Sequence, residues 1–512
     1  MVQRIRIFRA DELICETNGM RGETLLQCAA AAGVFLDAQC GGMGKCGKCL
    51  VRLSPDGEKV LACRTMVDGN ADVYLPGGAE MKIAGDGTVA RTTKAEPPPM
   101  RAQLGVAADI GTTTVVAHLI DIGAGTRIAT ASGVNSQRVC GADVISRIRY
   151  CAENGHETLT GLIREQLATL IQQTCSVSGE QARDIGYVSI AGNTIMQHLA
   201  AGYSPVGMGT APFTPVSLFG RELPAWEGLP AAKTAKVYFA PAVSSYVGGD
   251  ITAGMLAAGL EDIKGPAIYL DIGTNGEIVV KSGDIYYCCA TAAGPAFEGA
   301  EVTMGMAAVS GAISHVKWER GLKASVIDDA APRGICGSGL LDALAVLLET
   351  GAVDETGRLL GANEIDHDIA AHIGKQDGKN VLRLTGNGGG VYLSAMDIRK
   401  LQLAKAAIAA GIQTLLGHAG IREEQVESLV LAGGFGSFLD PVSAVRIGLF
   451  PKKFLSIAQA LGNTAGEGAA LALCSKAART GLEDIRKRCK NIQLSTDPVF
   501  NERFVMHMSL KN

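Results

Sequence analysis

Apolar and polar residues alternate in short runs through the first part of the chain. QRIRIFR, LICE, CLVRLS and ADVYLP each send side chains of opposite character to opposite faces, the period-two pattern of half-buried strands. Between them ETLLQCAAAAG (23–33) is rich in Ala and Leu and predicts one helix. Strand pairs around a single helix predict a small α+β unit over residues 1–80. From Gly77 to Met100 the alternation stops and ends in KAEPPPM, so residues 81–103 read as a linker, stiffened locally by Pro97–Pro99.

From Leu104 onward apolar strands alternate with Ala-rich helical stretches, and the pattern repeats itself. LGVAADIGTTTVVAHLID (104–121) has a counterpart in AIYLDIGTNGEIVVKSG (267–283): apolar strand, Asp-Ile-Gly-Thr turn, apolar strand. VSIAGNTIMQHL (188–199) is echoed by LVLAGGFGSFLD (429–440): strand, glycine turn, helix start. Two motifs recurring in the same order predict duplicated halves, 104–265 and 266–512.

A length of 512 residues exceeds one ordinary core, in keeping with this division. The net charge of −4 offers no basic footprint for nucleic acid or an anionic membrane. The long uncharged stretch from Tyr187 to Gly220 is broken by Pro205, Pro212 and Pro215, which rules it out as a spanning helix. MVQRIRIFRA lacks the apolar core of a signal peptide, and 14 cysteines are scattered along the chain, so a reducing, cytoplasmic setting is expected.

Three of those cysteines crowd into CGGMGKCGKC (40–49). Gly41, Gly42, Gly44 and Gly47 let this backbone curl tightly and point amide N–H groups inward. Cys40, Cys46 and Cys49 follow C-x5-C-x2-C, and thirteen residues separate Cys49 from Cys63. Four thiolates wrapped by backbone amides suit a [2Fe–2S] cluster, although the first gap is one residue longer than the plant-type spacing. A structural zinc site is the alternative, but it favours two C-x2-C knuckles and only Cys46–Cys49 is one. Cys15 and Cys28 read as core residues, Cys336 and Cys288–Cys289 as packing, and the eight histidines form no metal-ligand spacing.

In the twin turns, Asp109 and Asp271 stand at strand ends where each can hold magnesium through water. Backbone amides and hydroxyls of Gly111, Thr112 and Thr113, and of Gly273, Thr274 and Asn275, can cradle phosphate oxygens. In LAGGFGSF, Gly433, Gly434, Phe435 and Gly436 allow a base or ribose to approach the backbone, completing an adenosine site. Glu298 in GPAFEGA is a candidate for orienting water or meeting a partner, with a structural loop role equally open. GICGSGL predicts a glycine loop opening a helix with Ser338 as its N-cap. NSQRVCGADVISRI (135–148) reads as a cleft-lining or partner surface, or as a solvated helix start. GNTAGEGAALAL (462–473) predicts a helix packed tightly against the adenosine region through its small residues.

The region from Leu104 onward resembles the acetate-and-sugar-kinase/Hsc70/actin superfamily. More specifically, the cysteine-bearing head, the linker, DIGTTT, DIGTNGE, GPAFEGA, GICGSGL and LAGGFGSFLDP together resemble the reductive activators of corrinoid proteins, over nearly the whole chain. Some members carry an extra domain after the linker; here the ATPase pattern follows Pro99 almost directly, leaving at most a minimal one. The resemblance implies a β-grasp, ferredoxin-like head followed by an actin-like ATPase of two ribonuclease-H-like halves. It also implies ATP-dependent return of one electron to the Co(II) of a corrinoid protein in a methyltransferase system, restoring Co(I). Its partners are then that corrinoid protein and a low-potential electron donor, with the oligomeric state open and a homodimer among the options. Other readings are an activator of a different low-potential enzyme, a redox-gated small-molecule kinase, or a nucleotide-gated redox sensor.

Overall fold

The computed structural model describes residues 2–9, 12–32, 34, 36, 44, 49–75, 103–299, 301–386, 390–436 and 438–510. Cys40, Cys46 and all of the linker except Gln103 lie outside the described residues.

The head comprises β1 (Val2–Arg9), β2 (Glu12–Met20), α1 (Leu25–Ala31), β3 (Leu50–Arg52), β4 (Lys59–Leu61) and β5 (Ala71–Leu75). Its sheet runs β2-β1-β5-β3-β4, with β5 returning parallel to β1 in the centre, the plan of a β-grasp unit. Ile5 and Ile7 alternate inward from β1 and pack with Leu25, Leu26, Val51 and Val73. The short β4 leaves no alternation to read, because Lys59-Val60-Leu61 spans barely one period.

The first half contains β6 (Leu104–Ile110), β7 (Thr114–Asp121), β8 (Thr126–Val134), α2 (Val144–Asn154), α3 (Glu157–Ser178), β9 (Ile185–Gly192), α4 (Thr194–Ala201), β10 (Arg221–Pro224), β11 (Lys236–Phe239) and α5 (Gly249–Ala257). The second half opens with β12 (Ala267–Ile272), β13 (Gly276–Ser282) and β14 (Ile285–Thr291). It then adds α6 (Gly337–Glu349) and α7 (Ala395–Ala419) before the strands Ser428–Ala432 and Ala458–Gly462. In one sheet the order is β8-β7-β6-β9-β11; in the other, β14 and β13 precede β12, which neighbours Ser428–Ala432 and then Ala458–Gly462. Each sheet has six strands and contains an antiparallel meander of three followed by two parallel ones; β10 edges the first sheet beside β11, and Cys489–Asn491 edges the second beside β14. The same five-stranded ribonuclease-H-like plan thus occurs twice. β6, β9 and β12 are buried along most of their length, as expected of sheets covered on both faces.

The two halves meet where α5 lies against the helix Thr464–Cys474. A Cβ on Gly468 would stand 2.1 Å from the carbonyl oxygen of Ala253, so this contact admits only hydrogen at that position. Tyr269 Oη and Thr464 Oγ1 are 2.8 Å apart beside it. The small residues of GNTAGEGAALAL therefore serve close approach to the other half's helix, while Asn463 and Ala465 of the same stretch line the cleft. Among the described residues no helix is long and apolar enough to cross a membrane.

Candidate functional site

Both Asp-Ile-Gly-Thr turns join the first two strands of their half and meet across the cleft. Asp109 lies opposite Val116 near the end of β6, and Asp271 opposite Glu277 near the end of β12. The hydroxyls of Thr113 and Thr274, 161 residues apart in sequence, stand 3.1 Å from one another. Each donates to the same carboxylate oxygen of Glu298, at 2.7 Å. Glu298 ends the short turn Pro295–Glu298, closed by Gly299 at φ 73°. The preceding Phe297 is buried and stacks on Phe435 at 5.3 Å, which anchors the loop. Further along, Asp397 at the start of α7 accepts hydrogen bonds from the Thr303 amide at 2.9 Å and hydroxyl at 3.1 Å. Glu298 therefore bridges the two phosphate-type turns, a role that sequence alone left open between three alternatives.

The first turn is fixed from behind. Asn135 donates from Nδ2 to the Gly111 carbonyl at 2.8 Å and from its backbone amide to the Thr113 carbonyl at 2.8 Å. Arg147, fully buried on α2, donates to the Thr112 carbonyl at 2.6 Å. Gly111 donates to the Thr114 carbonyl at 2.9 Å. NSQRVCGADVISRI lines the cleft through Arg138 and Ala142 and is not a solvated helix start: Asn135, Ser136, Gln137 and Arg147 are all buried. Ser136 and Gln137 donate to the carbonyls of Leu162 and Leu159 on α3, which satisfies polar groups that composition alone would put outside. In the second turn Gly273 donates to the Asn275 carbonyl at 2.9 Å.

Thr113, Thr274, Asp109, Asp271, Glu298 and Gly434 all line one cleft of about 310 Å³ between the halves. Burial and the neighbouring Asp271 push the Asp109 carboxyl up to about 7. Burial, Asp250 and Glu298 do the same to Asp271, also to about 7. Two further acids belong here that the sequence reading did not assign. Asp250, at the start of α5, is raised to about 7 by burial and then by Asp109. Glu277 is driven well above the usual carboxylate range by burial, Asp250 and Asp271. Asn193 and Asn463 also line the cleft, each capping a helix through Oδ1. The tripeptide GNT, present at 192–194 and again at 462–464, was a legible signal for this pair. Among the described residues no three His, Cys, Asp or Glu converge into a dry metal cage. Hard oxygen donors spread around a cleft suit a magnesium ion that keeps several waters.

GGFG follows the strand Ser428–Ala432 as a single helical turn, Gly433–Gly436. Gly433 has φ +84°, and a Cβ there would lie 2.3 Å from Asp271 Oδ1. Its missing side chain makes room for that carboxylate, whereas Gly434 has open space before it and is exposed to the cleft. Ser338 is not the N-cap of α6. Cys336 occupies that position, and the Ser338 hydroxyl, inside the first turn, donates to the Ser314 carbonyl at 2.8 Å. Cys336 is buried and lines the cleft, while Cys288 and Cys289 are core residues on β14.

In the head, Cys49 and Cys63 are both buried, and the amide of Ala62, the residue before Cys63, donates to the Cys49 carbonyl at 2.8 Å. Gly44, at φ +70°, packs so closely on Arg64 that a Cβ would fall 2.0 Å from its Nε, which sets Gly44 against the residue that follows Cys63. Cys28 is buried and donates to Glu23 at 3.7 Å; burial and that carboxylate push the thiol up to about 11, the state of a core thiol.

Two ribonuclease-H-like halves closing on an acid-lined cleft define an actin-like ATPase. A family profile described as "RACo middle region" matches residues 104–263, and one described as "C-terminal domain of RACo the ASKHA domain" matches 265–512. The chain belongs to the RACo family. It is 38% identical over 419 residues to the corrinoid activation enzyme RamQ of Eubacterium limosum, covering 79% of this chain and 70% of that protein. It is 24% identical over 440 residues to the [Co(II) methylated amine-specific corrinoid protein] reductase of Methanosarcina barkeri, covering 79% and 76%. The solved structure of a reductive activator for corrinoid, iron–sulfur protein superposes with a TM-score of 0.74 at 28% identity, over 99% of this chain and 98% of that one.

Proposed function

We propose that this chain is an ATP-dependent reductive activator that returns the Co(II) of a corrinoid protein to Co(I) for methyl transfer. The observation that carries this reading is the union of two sites in one chain. One is a cleft in which Glu298 joins the two turns; the other is a head in which Cys49 and Cys63 are both buried and Ala62, next to Cys63, bonds to the Cys49 carbonyl. The likeness to a corrinoid-protein activator from end to end supports it.

In this reading residues 1–80 form the electron-carrying head, 81–103 tether it, and 104–265 and 266–512 form the ATPase. Asp109 and Asp271 hold a water-bearing magnesium ion between the turns. The amides and hydroxyls of Gly111, Thr112, Thr113, Gly273, Thr274 and Asn275 receive the phosphates, and Gly433, Gly434, Phe435 and Gly436 border the nucleoside. Phosphate oxygens compete with Glu298 for the Thr113 and Thr274 hydroxyls, so nucleotide occupancy and the relation of the halves are linked through three side chains. That link is what ATP needs in order to favour one state of the complex with the partner over another. The buried pair Cys49 and Cys63 fits a thiolate-held cluster, with Cys40 and Cys46 as the other ligands. A [2Fe–2S] cluster there would supply single electrons at low potential, near about −400 mV for the plant type. A low-potential donor reloads the head, and the setting is cytoplasmic.

The test is spectroscopic. Anaerobically purified protein, a corrinoid protein encoded nearby and a low-potential reductant are mixed with or without Mg–ATP, and Co(I) formation is followed. ATP-stimulated Co(I), lost in Cys46→Ala, is the expected result; no ATP-stimulated Co(I) with any such partner overturns the activator reading. Two irons and two labile sulfides per chain are expected on analysis. Stoichiometric zinc without sulfide would overturn the cluster assignment.

A further inference from the structure

We propose that Arg147 is a positioning residue for the nucleotide phosphates: together with Asn135 it holds the carbonyls of the first turn away from the cleft. This rests on the reading of the cleft as a nucleotide site.

The carbonyls of Gly111, Thr112, Thr113 and Thr114 are consecutive, and each has a partner. Asn135 takes the first and third, Arg147 the second, and Gly111 itself the fourth. In a planar trans peptide the C=O of one residue points opposite to the N–H of the next. Tying back the Gly111 and Thr112 carbonyls therefore turns the Thr112 and Thr113 amides the other way, and both residues line the cleft. The turn becomes a fixed pair of donors whose orientation is set before any anion arrives, and which has nothing to reorganise when one does.

The hairpin itself does not require a buried cation. The second half reaches the same strand–turn–strand form with Gly273 donating to the Asn275 carbonyl at 2.9 Å. Arg147 is nonetheless fully buried, and its nitrogens meet the carbonyls of Thr112 and Gly141, the Gln137 amide oxygen at 3.2 Å and the Met196 sulfur at 2.9 Å. Its hydrogen-bond acceptors are all neutral, and the Asp143 and Glu298 carboxylates act on it only through space. Burying a guanidinium in this way is costly, and an anion on the far side of the peptide it holds offsets more of that cost. Burial lowers the group only to about 9, so it remains a cation at neutral pH. The stretch NSQR before α2 and the arginine within it thereby gain a common purpose.

The test compares full-length variants in Mg–ATP titration and steady-state ATP hydrolysis. Arg147→Met is expected to raise both Kd and KM for ATP by about 10- to 100-fold, the span of one charge-assisted hydrogen bond, with kcat at saturation within about twofold. Arg147→Lys, which keeps the charge but cannot span Thr112 and Gly141 together, is expected to fall between. Arg164→Met is the control, because Arg164 also donates to a backbone carbonyl in this half, that of Ala200 at 2.9 Å, away from the cleft; its KM is expected to stay unchanged. A merely structural arginine gives the opposite split: fewer active molecules, hence lower kcat at unchanged KM. That result in Arg147→Met overturns the inference while leaving the nucleotide site standing. If Arg147→Met does not fold, Arg147→Lys and Asn135→Ser decide, a raised KM supporting the inference and an unchanged one overturning it. Wild-type protein that binds no Mg–ATP overturns the underlying reading instead.

Discussion

The two Asp-Ile-Gly-Thr turns share a sequence and a place in their halves, yet they are held in different ways. The first has its carbonyls tied back by Asn135 and Arg147, both fully buried. The second carries its acid against a glycine, Gly433, whose missing side chain leaves room for Asp271. Duplication has kept the chemistry facing the cleft and changed what lies behind it. Glu298 then joins the two through one oxygen. The comparison teaches that a repeated motif identifies a site, while the unrepeated residues around it set which side is rigid and which can respond.

Removing the acids tests the shared part. Asp109→Asn and Asp271→Asn are each expected to lower magnesium-dependent ATP turnover by about 100-fold or more, the scale of losing one charge-stabilising group at a reacting phosphate. The visible absorption of the head should not change in either. Loss in one variant with near-normal turnover in the other would break the symmetry of the pair and leave a single working turn.

The Glu298 bridge tests whether the turns act together. Thr113→Val and Thr274→Val keep shape and remove one hydroxyl each from the same acceptor. In a double-mutant cycle on unfolding free energy, their effects are expected to depart from additivity by about 1 kcal/mol, as for groups sharing a charged partner. Additive effects would mean that the bridge contributes nothing to joining the halves. Glu298→Gln should weaken ATP hydrolysis about tenfold, since an amide oxygen can still accept from both hydroxyls but carries no charge.

Gly192 and Gly433 end equivalent strands, and alanine separates their roles. At Gly192 a Cβ would meet the Ile110 carbonyl oxygen at 2.8 Å, a steric cost without a positive φ. At Gly433 it would meet the Asp271 carboxylate at 2.3 Å, on a backbone at φ +84° that costs an L-residue about 1–2 kcal/mol. Gly192→Ala is expected to lower Tm with little change in KM for ATP, and Gly433→Ala to lower Tm and raise KM. The reverse pattern would mean that Gly433 has no part in setting the Asp271 side chain.

What could be read from sequence follows from how local each signal is. The strand–acid–glycine turns were legible because their pattern occupies six residues and occurs twice. The role of Glu298 is not legible from sequence, since its partners lie 185 and 24 residues away and only the fold brings them to it. Gly433 reads from sequence as room for a base or ribose; that its missing side chain also makes room for Asp271, on a neighbouring strand, needs the fold. The polar run at 135–138 read as either cleft-lining or solvated; Arg138 lines the cleft, while no composition argument reveals that α3 carbonyls receive Ser136 and Gln137. Ser338 looked like a cap, but the helix begins two residues earlier, with Cys336 at the cap position. Asp250 follows two glycines in VGGD, a signal that only gains meaning once β11 and α5 bring it beside Asp109.

The smallest expected effect is a dependence of stability on pH that separates the cleft from the packed interior of the first half. Asp109, Asp250 and Asp271 are raised to about 7, whereas unfolded carboxyls titrate near about 4. Between those values the folded chain holds protons that the unfolded chain has released, so these acids make stability fall as pH rises. His198 works in the opposite direction. It donates from Nδ1 to the Thr194 carbonyl and accepts from the amides of Val216 and Ser217 at Nε2, and burial lowers it to about 4. The unfolded chain takes up that proton below about 6.5, so His198 makes stability fall as pH drops through this window. Asp250→Asn removes one term of the first kind alone. Relative to wild type its Tm is expected to gain about 2–4 °C at pH 8, where the native carboxyl is ionised in a buried cluster, and to change little near pH 5. Mg–ATP should narrow the difference at pH 8 by supplying the missing positive charge. An Asp250→Asn difference that is the same at both pH values would mean that the carboxyl ionises freely, and that the acids of the two halves do not share one electrostatic site.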